Sequence, residues 1–261
     1  MTILITRPAP AGEELVNRLS AIGQVAFSAP LIAIYPGTDL PLLSQKLQRL
    51  SAGDAVFLLS KNAVHYANEQ LVQEGLTWPD NLSYYGIGKS TSLLFQQQTG
   101  KNILWPEQGE TSEELLQLPS LQKMAHKKIL LLRGNGGREM IAASLTARGG
   151  KIAYCECYSR QPVKYHSSEF TRHWQQCGIK TLVVTSGEML QLLYNLVTGS
   201  DRPENRATED DNNGIDNKTW LLGCRLIVVS ERLANIARKL GWEDIKVAKS
   251  ADNDALMQAL E

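Results

Sequence analysis

A strand, a glycine turn, a helix and a second strand follow one another over residues 128–162. Residues 128–133 (KILLLR) form a short apolar run of the length and branched content typical of a buried strand. The turn at Gly134–Gly137 leads into a helical pattern, and residues 152–158 have the pattern of the second strand. Parallel strands need such a crossover, so this stretch predicts one βαβ unit of a parallel sheet.

The order of elements on either side of this unit predicts two lobes. Strand, hydroxyl residue and helix recur around residues 57–91 and again around residues 183–233. We therefore predict an α/β protein with two similar parallel-sheet lobes of the flavodoxin or Rossmann type, joined by a two-stranded β linker. One lobe is discontinuous, formed by residues 1–34 plus 164–261, and residues 38–158 form the inserted lobe. Residues 198–218 are strongly acidic and nearly free of apolar side chains, which predicts a disordered loop.

Charge and hydropathy exclude several classes of partner. Lys+Arg and Asp+Glu number 27 each, so no bulk field would attract nucleic acid or an acidic membrane. No apolar run approaches the roughly 20 residues that span a bilayer. The first residues lack the apolar core of a secretion signal, and we expect a cytoplasmic protein.

The sequence contains no complete motif for a dinucleotide or a metal ion. Gly134-x-Gly136 lacks the third glycine of a dinucleotide fingerprint, because Glu139 stands in that place. The histidines have no ligand spacing, so no metal site is predicted. A nucleotide-dependent oxidoreductase and a two-lobed anion-binding module without turnover stay open as alternatives.

Hydroxyl residues after the predicted strands suggest an anion site. The carboxyl ends of parallel strands meet at one edge of a sheet, and helix N-termini there favour anions. The predicted caps would surround one cleft, to which basic side chains could add positive charge. The candidate binding residues are Ser60, Thr91, Ser186 and Ser230 together with Arg7, Lys89, Arg133 and Arg138.

Five short motifs follow one another along nearly the whole chain. They are Ile5–Pro8 with Ala11–Leu15, Leu132–Glu139, Cys155–Tyr158, Val184–Leu190 and Val229–Ala234. Each motif is weak by itself, but through their order and spacing the chain resembles uroporphyrinogen-III synthases of the bacterial type.

This resemblance implies a two-lobed α/β enzyme that needs no cofactor. Its substrate would be linear hydroxymethylbilane, which carries eight carboxylates. The bilane would lose its terminal hydroxyl and close to uroporphyrinogen III with ring D inverted, a step of tetrapyrrole (haem) biosynthesis. Tyr158 matches the family's tyrosine at the end of the crossing strand and is the candidate catalytic proton donor. We expect a monomer, with transient contact to the preceding enzyme of the pathway.

Overall fold

A computed structural model describes residues 2–107, 109–137, 139–165, 167–199 and 212–261. The chain divides into two compact units: residues 1–34 with 161–261, and residues 35–160. We call these unit 1 and unit 2. Among the described residues, no helix has both the length and the apolar character needed to cross a membrane.

Strands and helices alternate along most of the chain. Up to the middle of unit 2 they are β1 (Thr2–Ile5), α1 (Ala11–Ala21), β2 (Val25–Ser28), β3 (Ile32–Pro36), α2 (Leu43–Gln48), β4 (Ala55–Leu58), α3 (Lys61–Gln73), β5 (Ser83–Gly86) and α4 (Lys89–Thr99). Next come α5 (Ser112–Leu115), β6 (Lys128–Gly134), α6 (Met140–Ala147), β7 (Lys151–Pro162), α7 (Ser167–Gln176) and β8 (Thr181–Val183). The last are α8 (Gly187–Thr198), α9 (Asn212–Gly223), β9 (Arg225–Val228), α10 (Glu231–Leu240), β10 (Ile245–Val247) and α11 (Asn253–Leu260). Short 3₁₀ turns lie at Leu40–Leu42 and Pro119–Leu121.

Within the described residues the strands form two five-stranded sheets, in the orders β10-β9-β8-β1-β2 and β3-β7-β6-β4-β5. The first sheet is parallel throughout, and β5, β4, β6 and β7 of the second are parallel to their neighbours. The predicted α/β class with parallel sheets is therefore confirmed.

The sheet of unit 1 is covered on both faces because its strands alternate between two apolar clusters. Leu4 and Leu182 pack in one cluster with side chains of α8, α9 and α10. Ile3 and Val183 pack in the other with α1 and α11. Alternation with period two places consecutive strand residues on opposite faces, which explains why Ile3–Ile5 of β1 and Leu182–Val183 of β8 are apolar at consecutive positions.

The sheet of unit 2 also has buried apolar strands that pack against helices. Residues 129–133 of β6 are all buried, as the apolar run predicts. Ile129 and Leu131 pack against α5 and α6 on one face. The glycine turn, α6 and β7 complete the predicted βαβ unit.

The prediction of a loop over residues 198–218 is wrong at both ends of that range, where the structure has helix. Thr198 is the last residue of α8, and residues 212–218 belong to α9. The apolar residues of α9 beyond Lys218, such as the buried Leu221, pack into the core cluster of unit 1, and the polar residues before them continue the same helix. Residues 200–211 of that prediction lie outside the described residues.

Candidate functional site in unit 2

A cavity of about 210 Å³ opens at the carboxyl end of the unit 2 sheet. The ends of β4, β5, β6 and β7 supply most of its wall, as expected for a ligand site of a parallel sheet. Three of the residues predicted from sequence line it: Ser60, Arg133 and Tyr158. The other lining residues are Leu59, Ile87, Ser112, Gly134, Asn135, Gly136, Gly137, Ile141 and Arg160.

The hydroxyl of Ser60 makes two hydrogen bonds. It follows β4 in an extended conformation and is the N-cap of α3, where its Oγ accepts from the backbone N–H of Ala63 at 3.1 Å. The same Oγ donates to Oη of Tyr158 at 3.1 Å. The predicted cap is confirmed, and its hydroxyl also orients the candidate proton donor.

Tyr158 lies in β7 with only 9% of its surface exposed. Its ring stacks on Tyr66 of α3, with the ring centroids 6.3 Å apart and an interplanar angle of 17°. With Ser60 as the donor of this hydrogen bond, the phenol's own proton is left to be donated to a group in the cavity. Tyr158 therefore combines a fixed ring with an available proton.

Arg133 is 8% exposed and sits where β6 reaches the cavity. Its Nε donates to the carbonyl oxygen of Gly136 at 3.1 Å, and its Nη1 donates to Glu139 at 2.9 Å. The guanidinium also lies over the ring of Tyr154, 5.3 Å from the centroid. A buried guanidinium with a fixed plane is well suited to a carboxylate.

Glu139 is held from two sides. The hydroxyl of Tyr154 donates to its carboxylate at 2.7 Å, and Arg133 donates to the other oxygen. These two hydrogen bonds, that of Tyr154 first, lower the pKa of Glu139 below its usual value. Glu139 therefore stays ionised and keeps the guanidinium of Arg133 oriented.

The glycine turn after β6 closes around Arg133. A Cβ on Gly137 would lie 3.0 Å from Nη2 of Arg133, and Gly137 has a φ of +122° that side chains rarely tolerate. The carbonyl oxygen of Gly136 accepts a hydrogen bond from Arg133, and the backbone of Gly137 packs against the same guanidinium. The glycine turn therefore holds the side chain of Arg133. This use leaves the incomplete dinucleotide fingerprint without support from the structure.

Thr91 is not a helix cap. The N-cap of α4 is Gly88, with an extended φ of −172° and no side-chain cap hydrogen bond, and Thr91 is the buried third residue of the helix. Glu110 covers the helix start instead: its carboxylate accepts from the backbone N–H of Ser90 at 2.8 Å and from the Ser90 hydroxyl at 3.2 Å. The prediction of Thr91 as a cap is therefore wrong, because a carboxylate distant in sequence supplies the acceptor.

Lys89 is exposed at the first position of α4. Neither Lys89 nor Thr91 belongs to the described lining of the cavity. Gly88 has no room for a side chain, since a Cβ there would overlap Glu110. Any anion that reaches this helix start has to displace the Glu110 carboxylate.

Three predicted residues lie in unit 1. Ser186 and Ser230 are confirmed as N-caps of α8 and α10, accepting from the backbone N–H groups of Met189 and Leu233. Arg7 follows β1 and donates to the side chain of Asn253.

Burial lowers the pKa of Arg7, and nearby Glu14 and Asp252 act in the opposite direction. This guanidinium therefore already has acidic and amide neighbours at the start of α11. Arg138, the remaining predicted residue, lies outside the described residues. No cluster of three or more His, Cys, Asp or Glu side chains suited to a metal ion occurs in the described ranges.

Several residues in and around the cavity are not marked as site residues by any sequence motif. Asn135, Glu139 and Tyr154 act through contacts with Arg133 or with β7. The only signal for them is their place in or after the strands of the βαβ unit. Glu110 has no sequence signal at all.

The comparisons with known proteins agree with this architecture. A family model described as uroporphyrinogen-III synthase HemD matches residues 13–258. The chain is 50% identical over 261 residues to the uroporphyrinogen-III synthase of Salmonella typhimurium, covering 100% of both chains. It is 49% identical over 261 residues to the enzyme of that name from Escherichia coli, again covering 100% of both.

Solved structures of two more distant proteins share the fold. A mutant uroporphyrinogen III synthase from the extremely thermophilic bacterium Thermus thermophilus has a TM-score of 0.58 at 13% identity, covering 100% of this chain and 98% of that one. The uroporphyrinogen-III synthetase of Helicobacter pylori has a TM-score of 0.54 at 17% identity, covering 99% of this chain and 97% of that one. Together with the match of the family model and the full-length relatives, this shows that the chain belongs to the uroporphyrinogen-III synthase family.

Proposed function

We propose that this protein is a uroporphyrinogen-III synthase, a cyclising hydro-lyase that converts hydroxymethylbilane to uroporphyrinogen III in tetrapyrrole (haem) biosynthesis. The family match over residues 13–258 carries this proposal. The cavity in unit 2 supports it, because Ser60, Arg133 and Tyr158 meet at one sheet edge.

The substrate's carboxylates are proposed to bind the buried guanidinium and the helix starts. Arg133 offers a fixed fork at the cavity wall, and charge-assisted hydrogen bonds to such a fork are strong. Ser60 marks a helix N-terminus at the same cavity, and helix N-termini favour anions. Further binding residues that stay predictions are Arg7, Lys89, Thr91, Arg138, Ser186 and Ser230.

Tyr158 is proposed to protonate the departing hydroxyl of the bilane. Hydroxide is a poor leaving group, so transfer of the phenol proton lets it leave as water. The nitrogen of the pyrrole that carried the hydroxyl group supplies the electron pair, and an azafulvene forms. The substituted carbon of ring D then attacks it to give a spiro intermediate. The bond from that carbon to the methylene of ring C breaks, the methylene bonds to the free α-carbon of ring D, and the proton on that carbon is lost, which balances the proton given by the phenol.

Positioning is the other contribution of the protein. Direct closure without inversion competes with the spiro route, so the bilane must be held folded. A cavity with a fixed arginine and a fixed tyrosine supplies two reference points for that fold.

The alternatives receive less support. A nucleotide-dependent oxidoreductase would use the glycine turn, but that turn packs on Arg133, and Glu139 stands at the start of α6 where a phosphate would bind. An anion-binding module without turnover would share the cavity but would leave the bilane unchanged.

The chain passes between its units within β3 and β7, which are neighbours in one sheet. We propose that these strands form the two-stranded linker. The cytoplasmic location, the monomeric state and the transient contact with the preceding pathway enzyme stay predictions.

Turnover of hydroxymethylbilane with analysis of the product isomers tests the proposal. Formation of uroporphyrinogen III faster than spontaneous closure to the non-inverted isomer is expected. Binding of the bilane without acceleration would favour the anion-binding module. Equilibrium binding of NAD(P) would favour the oxidoreductase.

A further inference from the structure

Gly134 lies directly against the ring of Tyr158. A Cβ built on Gly134 would stand 2.6 Å from both Cε2 and Cζ of that ring and 3.0 Å from its hydroxyl oxygen. Real Cβ atoms do not approach other atoms at 2.6 Å, so any side chain here forces the ring to move. The absence of a side chain at Gly134 is therefore what allows the phenol to occupy its present place.

A bulge in β7 brings these two residues opposite each other. Arg133 pairs with Glu156, but the next residue, Gly134, pairs with Tyr158, so that Cys157 is an extra residue in β7. Side chains alternate along a strand, and an inserted residue re-aims those that follow it. The bulge thus turns Tyr158 towards the end of β6.

Asn135 fixes β7 beyond the bulge. Its backbone N–H donates to the carbonyl oxygen of Tyr158 at 3.0 Å. Its side-chain Oδ1 accepts from the N–H of Arg160 at 2.7 Å, and its Nδ2 donates to the carbonyl oxygen of Arg160 at 3.3 Å. The amide side chain continues the hydrogen bonding between the two strands after β6 has ended.

We propose that Gly134 and Asn135 are positioning residues for the proton-donating hydroxyl of Tyr158. This inference rests on the proposed function, in which Tyr158 is the donor. Gly134 supplies the space for the ring, Asn135 holds the backbone on both sides of Ser159, and Ser60 fixes the hydroxyl. The glycine turn that resembles a dinucleotide fingerprint therefore serves the catalytic tyrosine.

The first test is Gly134→Ala, measured by kcat, KM and melting temperature. The added methyl displaces the phenol, and misplacement of a reacting group by about 1 Å costs on the order of 100-fold in rate. We expect kcat to fall roughly 10- to 100-fold with little change in KM. The matched control is Gly150→Ala, whose Cβ would overlap Ile129 at the opposite end of the same strand pair. Gly150→Ala should lower the melting temperature about as much as Gly134→Ala does. The kcat of the folded enzyme should stay at the parent value.

A double-mutant cycle separates positioning from a general packing defect. In a Tyr158→Phe background, Gly134→Ala should lower kcat by less than about twofold, because the proton it misplaces is already gone. Equal losses in both backgrounds would overturn the inference.

The cycle also distinguishes this inference from the proposed function. Parent kcat in Gly134→Ala beside a slow Tyr158→Phe would overturn the positioning role alone. Full turnover by Tyr158→Phe would overturn the donor role and this inference with it.

Asn135 variants provide the test if Gly134→Ala does not fold. Asn135→Asp keeps the shape and the acceptor for the N–H of Arg160 but loses the donor to its carbonyl oxygen. Asn135→Ala loses both. We expect kcat to be highest in the parent, lower in Asn135→Asp and lowest in Asn135→Ala. In the Tyr158→Phe background the three should have the same kcat. An unchanged kcat in Asn135→Ala would remove Asn135 from the positioning set.

Discussion

Ser60 and Tyr158 are joined by a hydrogen bond of 3.1 Å between Oγ and Oη, although they are 98 residues apart in sequence. The same Ser60 oxygen caps α3 through the N–H of Ala63. A residue that stabilises a helix start thus also sets the direction of the candidate proton donor. Stability and catalysis can be separated here because glycine at an N-cap costs little helix stability, although it lacks the hydroxyl that contacts Tyr158.

Ser60→Ala should reduce both stability and turnover. Loss of the cap costs about 1 kcal/mol of unfolding free energy, and loss of the hydroxyl frees the phenol of Tyr158. Ser60→Gly is the matched control, because glycine at an N-cap costs only a few tenths of a kcal/mol. We expect both variants to lose turnover equally and only Ala to lose stability, as measured by urea unfolding and initial rates. Parent turnover in Ser60→Gly would show that the hydroxyl serves the helix alone.

Arg133→Lys should weaken substrate binding although it keeps the positive charge. Lysine cannot reproduce the planar fork that Gly136 and Glu139 hold in place. Loss of a charge-assisted hydrogen bond worth about 1.5–3 kcal/mol raises KM roughly tenfold or more. Steady-state kinetics measure this effect. An unchanged KM would exclude Arg133 as a carboxylate ligand.

Glu139 should titrate below the ordinary range for a glutamate. Its pKa in the folded state is lowered. The hydrogen bonds of ionised Glu139 therefore stabilise the folded protein fully above the unfolded-state pKa, and this stabilisation is lost as the pH falls through the folded-state pKa. Tyr154→Phe removes the largest cause, so the pKa should rise towards its usual value in a carboxyl NMR titration.

Tyr84→Phe is the control for that titration, since the Tyr84 hydroxyl donates to the Pro79 carbonyl oxygen and has no contact with Glu139. The Glu139 titration should be unchanged in that variant. A titration that is also unchanged in Tyr154→Phe would contradict the assigned cause.

Glu110→Gln tests whether substrate uses the start of α4. The carboxylate bound to Ser90 stabilises the helix start, and losing its charge should cost about 0.3–1 kcal/mol. If a substrate carboxylate displaces Glu110, the variant should show a lower KM at unchanged kcat. The control Glu107→Gln removes the same charge from an exposed position of the same segment. It should change neither the stability nor the KM. An unchanged KM in Glu110→Gln would place substrate binding elsewhere.

The sequence predicts the central strands well, because β1, β4, β6, β8 and β9 are short, mostly apolar runs that are buried on both faces. It also predicts the caps Ser60, Ser186 and Ser230, since a hydroxyl between a strand and a helix has a local use. The same rule is wrong for Thr91. At the start of α4 the acceptor is the carboxylate of Glu110, which lies 20 residues after Ser90 in the sequence. Local patterns do not encode such contacts.

The cavity itself was only partly predictable. Ser60, Arg133 and Tyr158 were selected, yet their meeting depends on the bulge at Cys157 and on the close approach of Gly134. No sequence pattern marks that extra residue in β7. The helix over residues 212–218 was missed for a related reason, because its polar start is continued by apolar residues that pack in the core of unit 1.

The kcat of Tyr158→Phe under saturating hydroxymethylbilane tests the central claim most directly. Phenylalanine keeps the ring that stacks on Tyr66 and removes only the hydroxyl with its proton and its hydrogen bond to Ser60. A proton donor typically contributes roughly 10²–10⁴-fold, so kcat should fall substantially while the melting temperature stays near that of the parent. Full turnover by Tyr158→Phe would contradict the account and leave positioning of the bilane as the protein's sole contribution.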